Sequence, residues 1–150
     1  MKKIEIVGIV PVKANSDRVK KKNLRKFGNT NLYELKLNQL KKTKNFKSII
    51  VSSEDKKILG TAEKRGFLTH LRDPYYSTSK VPMSEVYSYI GSSVKAEHVA
   101  WINVTNPLAG SEIYDKAVTL YRKNFIKYDC LLMDNFLTEY FHGNTLSNFR

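Results

Sequence analysis

The chain is 150 residues long and carries 26 Lys and Arg against 14 Asp and Glu, a formal net charge of +12. This length suits one domain, and 41% hydrophobic with 27% charged residues is the balance of a folded protein with a core, which excludes wholesale disorder. No run of about 18 apolar residues exists to build an apolar membrane helix, and the single cysteine, Cys130, excludes an internal disulfide or a thiolate zinc site and points to a cytoplasmic compartment.

The charge is lopsided. Residues 1–50 hold 14 Lys and Arg against 3 Asp and Glu, and the remaining two thirds are close to neutral. Such an excess suits a polyanion or a phosphate-rich substrate, with a solvated lysine-rich surface as the competing reading. The second reading is the better one for Lys41, Lys42, Lys44 and Lys47.

In chain order, Ile4 to Val10 is an apolar run closed by Pro11, the pattern of a buried strand. Residues 11–31 are polar and basic, and too long for an idle connection. Leu32, Leu35, Leu37 and Leu40 predict a helix reaching about Lys42. Ser48 to Val51 is a second strand, and Ser53, Glu54 and Asp55 start a helix that turns Ile58, Leu59 and Ala62 inward and stops at Gly66. Phe67 to Leu71 is a third strand. Ser84 starts another helix, with Val86 or Tyr87 and Ile90 on one face. His98 to Ile102 is a fourth strand, a helix follows from Ser111 to about Lys123, and Cys130 to Met133 is a fifth strand. Glu139 to Thr145 reads as a strand turning at Gly143-Asn144. The alternation predicts an α/β fold, a Rossmann-like, mostly parallel sheet with flanking helices. Ligands of such sheets bind beyond the carboxyl ends of the strands. The loops after Val10, Val51, Leu71 and Val104 therefore share one functional rim.

The first of these loops is dense in cations and small donors: Lys13, Asn15, Ser16, Arg18, Lys20, Lys21, Lys22, Asn23, Arg25 and Lys26. It matches neither the GxxxxGK[ST] phosphate loop nor the GxGxxG dinucleotide fingerprint. Taken alone, it reads as a phosphate-binding loop, with a solvated basic loop and a nucleic-acid contact as alternatives. The stretch 13–26 holds no aromatic residue to stack on a base, which sets the nucleic-acid reading last.

Four ordered segments then carry a resemblance. Val10-Pro11-Val12-Lys13-Ala14-Asn15-Ser16-Asp17-Arg18-Val19-Lys20-Lys21-Lys22-Asn23-Leu24, Ile49-Ile50-Val51-Ser52-Ser53-Glu54-Asp55, Arg72-Asp73-Pro74-Tyr75-Tyr76-Ser77 and Asn103-Val104-Thr105-Asn106-Pro107-Leu108 resemble the motifs of the acylneuraminate (CMP-sialic acid) cytidylyltransferases, and Phe141-His142-Gly143-Asn144 lies near a further family turn. The resemblance implies the nucleotide-diphospho-sugar transferase type of α/β fold. It implies transfer of CMP from CTP to a nonulosonic (sialic-type) acid, with release of pyrophosphate and with Mg²⁺ as cofactor. A homodimer in the cytoplasm is the expected assembly.

Carried over by position, Lys13, Asn15, Ser16 and Lys22 would hold the triphosphate, with Lys13 and Lys22 as the catalytic cations. Asn23 would lie near the ribose, Arg72 near the base and Ser84 near the nucleotide, and Asn103 and Thr105 would face the sugar. Lys13 stands where the family usually has arginine, Asp17 where it has lysine, Asn103 where it has glutamine, and Ala109 where arginine is common. Family members also run longer, so the resemblance implies a single nucleotidyltransferase-like domain over 1–150 that lacks the family's C-terminal half, where the acidic metal ligands lie. A nucleotide-binding pseudoenzyme or assembly partner is the alternative function.

The remaining conspicuous residues read as structural. His70, His98 and His142 lack metal-ligand spacing, and Cys130 opens a strand as a buried, inert thiol. Asp55 suits a helix cap and Asp73 a turn. Asn103-Val104-Thr105 matches a glycosylation acceptor, but it follows a buried strand.

Overall fold

The computed structural model describes residues 4–16, 19–133 and 139–143. The opening apolar run forms β1 (Ile6–Pro11), whose Ile9 and Val10 are completely buried. Each such side chain contributes roughly 1.5–3 kcal/mol through burial. On β1, Val7 and Ile9 face one layer while Val10 faces the other, the period-2 alternation of a strand covered on both sides.

The polar stretch after β1 has structure of its own. Lys22–Leu24 makes a single 3₁₀ turn, and β2 (Lys26–Phe27) pairs with β3 (Thr30–Asn31) in a two-stranded hairpin. Gly28 occupies the left-handed position the hairpin turn requires, with φ of 60°. Asn31 then caps α1 (Leu32–Leu40): its Oδ1 accepts from the Glu34 amide at 2.8 Å, and its Nδ2 donates to the Glu34 carboxylate.

β4 (Ser48–Ser53) leads to α2 (Lys56–Lys64), capped by Asp55 as expected, with Oδ1 accepting from the Lys57 and Ile58 amides. Gly66, at φ 84°, ends the helix, and the Phe67 amide bonds back to the Ala62 carbonyl. Phe67 thus belongs to the cap, and β5 is Leu68–Leu71. A 3₁₀ turn over Pro74–Ser77, capped by Asp73, precedes α3 (Met83–Ser93). That helix starts at Met83, one residue before Ser84, and turns Val86 rather than Tyr87 inward. β6 is His98–Trp101 and α4 is Ser111–Asn124.

The sheet is parallel, in the order β5-β4-β1-β6. Helices α1, α2 and α4 cover one face and α3 the other. The α/β fold expected from the sequence is the one observed, with one correction. The fifth strand, β7 (Tyr128–Met133), does not join the parallel sheet. It pairs antiparallel with β8 (Glu139–Gly143) in a ribbon of its own, because a local antiparallel partner follows closely in the chain. The turn expected at Gly143-Asn144 and the side chain of His142 lie outside the described residues.

Candidate functional site

The parallel sheet brings the ends of β1, β4, β5 and β6 to one rim, with β1 central. Val12 continues past β1 and donates its amide to the Ser52 carbonyl at 2.9 Å, and the Ile102 amide donates to the Ile9 carbonyl at 2.8 Å. The loop that follows Val12 therefore leaves from the middle of the rim, between the ends of β4 and β6.

Its backbone is braced by an ion pair. The Glu54 carboxylate accepts from the Ala14 amide at 2.9 Å, from Arg72 Nη2 at 3.0 Å and from the Ser77 hydroxyl at 2.9 Å. Arg72 Nη2 also donates to the Val12 carbonyl at 2.9 Å, and its Nε to Ser77 Oγ. Arg72 is only 2% exposed, and these bonds engage its Nε and Nη2. Burial pushes the Glu54 carboxyl upward, but the Ala14 and Glu54 amides, Arg72 and Ser77 outweigh it and hold the group below the usual carboxylate range. Four chain segments thus meet at one pair, its guanidinium buried and its carboxylate half-buried: the start of the basic loop, the end of β4, the end of β5 and the 74–77 turn.

Further along the loop, Lys21 adopts a left-handed conformation (φ 51°), and its carbonyl accepts from the Leu24 and Arg25 amides. The turn buries Asn23, 7% exposed, with Nδ2 reaching the Lys13 carbonyl at 3.5 Å. Asn23 Oδ1 is buried without a hydrogen-bond partner. Such an acceptor is costly to leave unmatched, and a ligand hydroxyl or amine would satisfy it. Lys20, Lys21 and Lys22 are exposed and Lys13 is half-buried. Among the described residues no carboxylate pairs with any of the four. Asn15 is exposed and Ser16 half-buried, while Asp17 and Arg18 lie outside the described residues.

The other sequence candidates distribute unevenly. Asn103 and Thr105 are exposed just beyond β6, flanking buried Val104, on the rim beside β1. Ser84 is exposed in the first turn of α3. Arg72 is enclosed at the base of the rim rather than presented on it. Asp73 accepts from the Tyr75 amide as a turn cap. His70 Nδ1 is 3.0 Å from the Ser52 hydroxyl, and burial together with Arg72 lowers its pKa. His98 packs on Tyr121 and Phe125, away from the rim. Two open clefts, of about 380 and 720 Å³, lie beside α4 and at the opposite ends of β4 and β5, so neither is on the rim.

The described rim carboxylates do not compose a divalent-cation site. Glu54 is tied to Arg72, while Asp55 and Asp73 cap helical turns, and no cluster of three His, Cys, Asp or Glu exists among the described residues. Hard cations need such oxygen sets, or phosphate oxygens in their place.

What the rim can offer is a group of cations, without carboxylate partners among the described residues, and small donors over a braced backbone. The sequence profile of the cytidylyltransferases matches residues 7–146, which includes every rim segment. The chain belongs to the cytidylyltransferase family. A protein of Methanocaldococcus jannaschii, itself uncharacterised, is 30% identical over 135 residues, covering 83% of this chain and 51% of the relative. The fold of this chain is similar to that of a CMP:2-keto-3-deoxy-manno-octonic acid synthetase solved with CTP (TM-score 0.67, 10% identity, 83% of this chain and 50% of the other). It is also similar to a cytidylyltransferase from Leptospira borgpetersenii (TM-score 0.64, 21% identity, 81% and 50%) and to a 4-diphosphocytidyl-2C-methyl-D-erythritol synthase from Anaerococcus prevotii (TM-score 0.58, 16% identity, 94% and 64%). The chain thus spans about half the length of the first relatives it matches. These likenesses place it among cytidylyltransferases at large, a coarser assignment than the acylneuraminate group suggested by its motifs.

Proposed function

We propose that this chain binds CTP at the rim and that its reaction is transfer of CMP to the hydroxyl of a 2-keto sugar acid, of the nonulosonic or octulosonic type. One observation carries the reading: Lys13, Lys20, Lys21 and Lys22, without a carboxylate partner among the described residues, lie on a loop that leaves from the centre of a parallel sheet, where its strands end. Lys13 and Lys22 would face the triphosphate with Asn15 and Ser16, and the unmatched Asn23 Oδ1 would accept from a ribose hydroxyl. Ser84 would approach the nucleotide from α3. Asn103 and Thr105 would face the acceptor.

In that reaction the acceptor hydroxyl oxygen forms a bond to the α-phosphorus. The bond to the bridging oxygen breaks, pyrophosphate leaves, and the hydroxyl proton passes to solvent. Fixed cations stabilise charge that grows on the leaving phosphates, and removing one such donor typically slows a reaction about 10²–10³-fold. Arg72 acts here through the loop backbone rather than on the base. Mg²⁺ does not fit a carboxylate set of the described residues, and we assign it only as a counter-ion that arrives on the triphosphate.

Titration calorimetry of the chain with CTP, UTP, ATP and GTP, each with Mg²⁺, tests the reading. CTP should bind tightest, and Lys22→Ala should weaken it most among the loop lysines. Equal or absent binding of all four refutes it. Because the described carboxylates are committed elsewhere, pyrophosphate release with N-acetylneuraminate or 3-deoxy-manno-octulosonate should be slow. Turnover near 1 s⁻¹ or faster, within the ordinary enzyme range, would show that the 150 residues suffice for the chemistry.

A further inference from the structure

Helix α1 holds the chain beyond β6 by its carbonyl oxygens. Lys36 Nζ donates to the Asn106 and Ala109 carbonyls, each at 2.8 Å, and to the Tyr114 hydroxyl at 3.0 Å. One turn on, Gln39 Nε2 donates to the Pro107 carbonyl at 2.7 Å. Between these pinned carbonyls the Leu108 side chain is 88% exposed, so the tip of the stretch is anchored through its backbone. Lys36 itself is 0% exposed, and among the described residues no carboxylate pairs with it.

A buried ammonium without a counter-ion is expensive, and a methionine would fill a similar volume without that desolvation. What lysine adds is three donors in fixed directions, all of them used here. Burial lowers its pKa to about 8, yet the contacts need not fail on deprotonation. The neutral amine keeps donors for both carbonyls, and the Tyr114 hydroxyl can turn its proton toward the nitrogen lone pair. Burial pushes that hydroxyl up to about 12, so it still carries the proton. No other titratable group enters the contact: residues 103–110 have no ionisable side chain, and the Tyr33 hydroxyl donates to the Ile58 carbonyl instead.

We propose that Lys36 is a positioning residue which, with Gln39, pins residues 106–109 to α1 and thereby fixes Asn103 and Thr105 on the acceptor side of the rim. The acceptor half of this statement rests on the nucleotidyl-transfer reading above.

Lys36→Met separates positioning from simple stability. Peptide-level amide exchange of the ligand-free chain should quicken about tenfold or more over 103–110, with α2 and α3 unchanged. CTP affinity should stay within about twofold, while binding of N-acetylneuraminate or 3-deoxy-manno-octulosonate to the CTP complex should weaken by about tenfold. Gln39→Ala should give the same pattern in weaker form, and it decides the matter if Lys36→Met does not fold. Unchanged exchange over 103–110, or an increase spread evenly through the chain, overturns the clamp. Parallel loss of CTP and acid affinity, or wild-type chain that binds CTP but neither acid, overturns its acceptor role. If the wild-type chain binds no CTP, the nucleotide reading and the acceptor role fail together, while the exchange experiment still judges the clamp.

Discussion

Replacing Arg72 by methionine should unfold the protein at a markedly lower temperature, because this guanidinium holds the base of the rim. The side chain is 2% exposed and makes contacts to Val12, Glu54 and Ser77. Methionine would fill much of the volume, but it would leave the Glu54 carboxylate without its cation and the Val12 carbonyl without this donor. Removing one partner of a buried ion pair typically destabilises by about 3–5 kcal/mol, and the partial exposure of Glu54 puts this pair at the lower end, about 3 kcal/mol. For a domain of this size each kcal/mol lowers the melting temperature by roughly 2–4 °C, so the expected loss is on the order of 6–12 °C. Glu54→Gln keeps an acceptor for the Ala14 amide and should do less harm. In the double variant no uncompensated carboxylate remains, so its loss should fall short of the sum of the two singles. Thermal unfolding followed by circular dichroism, with urea titration for the free energies, measures all three. An Arg72→Met protein that melts within about 2 °C of wild type, or losses that simply add, would refute the brace. Unchanged melting with CTP binding abolished would return Arg72 to the nucleotide.

Two further outcomes follow from charge. Lys36 has its pKa lowered from 10.5 to about 8 in the folded chain, so between those values the unfolded chain binds more protons and stability rises with pH. Relative to Lys36→Met, wild type should gain about 2 kcal/mol from pH 7 to pH 9.5, and a melting-temperature gap that stays constant over that range would disprove the assignment. If the basic loop serves one small phosphate ligand, binding to long single-stranded DNA or RNA should be weak and largely lost by about 0.2 M salt, and tight salt-resistant binding in a filter or polarisation assay would restore the nucleic-acid reading.

The sequence shows the sheet because central β1, buried along its length, appears as an unbroken apolar run from Ile6, while β4 and β6 carry shorter apolar stretches after Ser48 and His98. Asp55 and Gly66 mark the ends of α2 by chemistry that needs no tertiary context: a carboxylate over free amides, and a residue without Cβ at positive φ. Both strands of the β7–β8 ribbon are legible in the sequence but their pairing is not, because pairing depends on which partner is nearest in space and an apolar run such as 130–133 does not name its partner. The hairpin within 11–31 was hidden by its two-residue strands, too short for any alternation to register.

The site divides along the same line between local and long-range information. Exposed cations on a loop after β1 can be read directly, since charge and position suffice. The groups that hold this loop and the next cannot, because each bond spans distant segments: Glu54 to Ala14, Arg72 to Val12, Lys36 to Asn106. Lys36 did leave one trace. A stripe drawn through Leu32, Leu35, Leu37 and Leu40 follows hydrophobicity alone, whereas the buried positions of α1 are Tyr33, Lys36, Leu37 and Leu40. That set is the regular i, i+3, i+4, i+7 spacing of one helix face, with a lysine at its second position. A charge in the middle of an otherwise apolar face must either break the helix's packing or find several acceptors inside the protein. In α1 it finds three, and two of them are carbonyls of the segment that follows β6 at the rim.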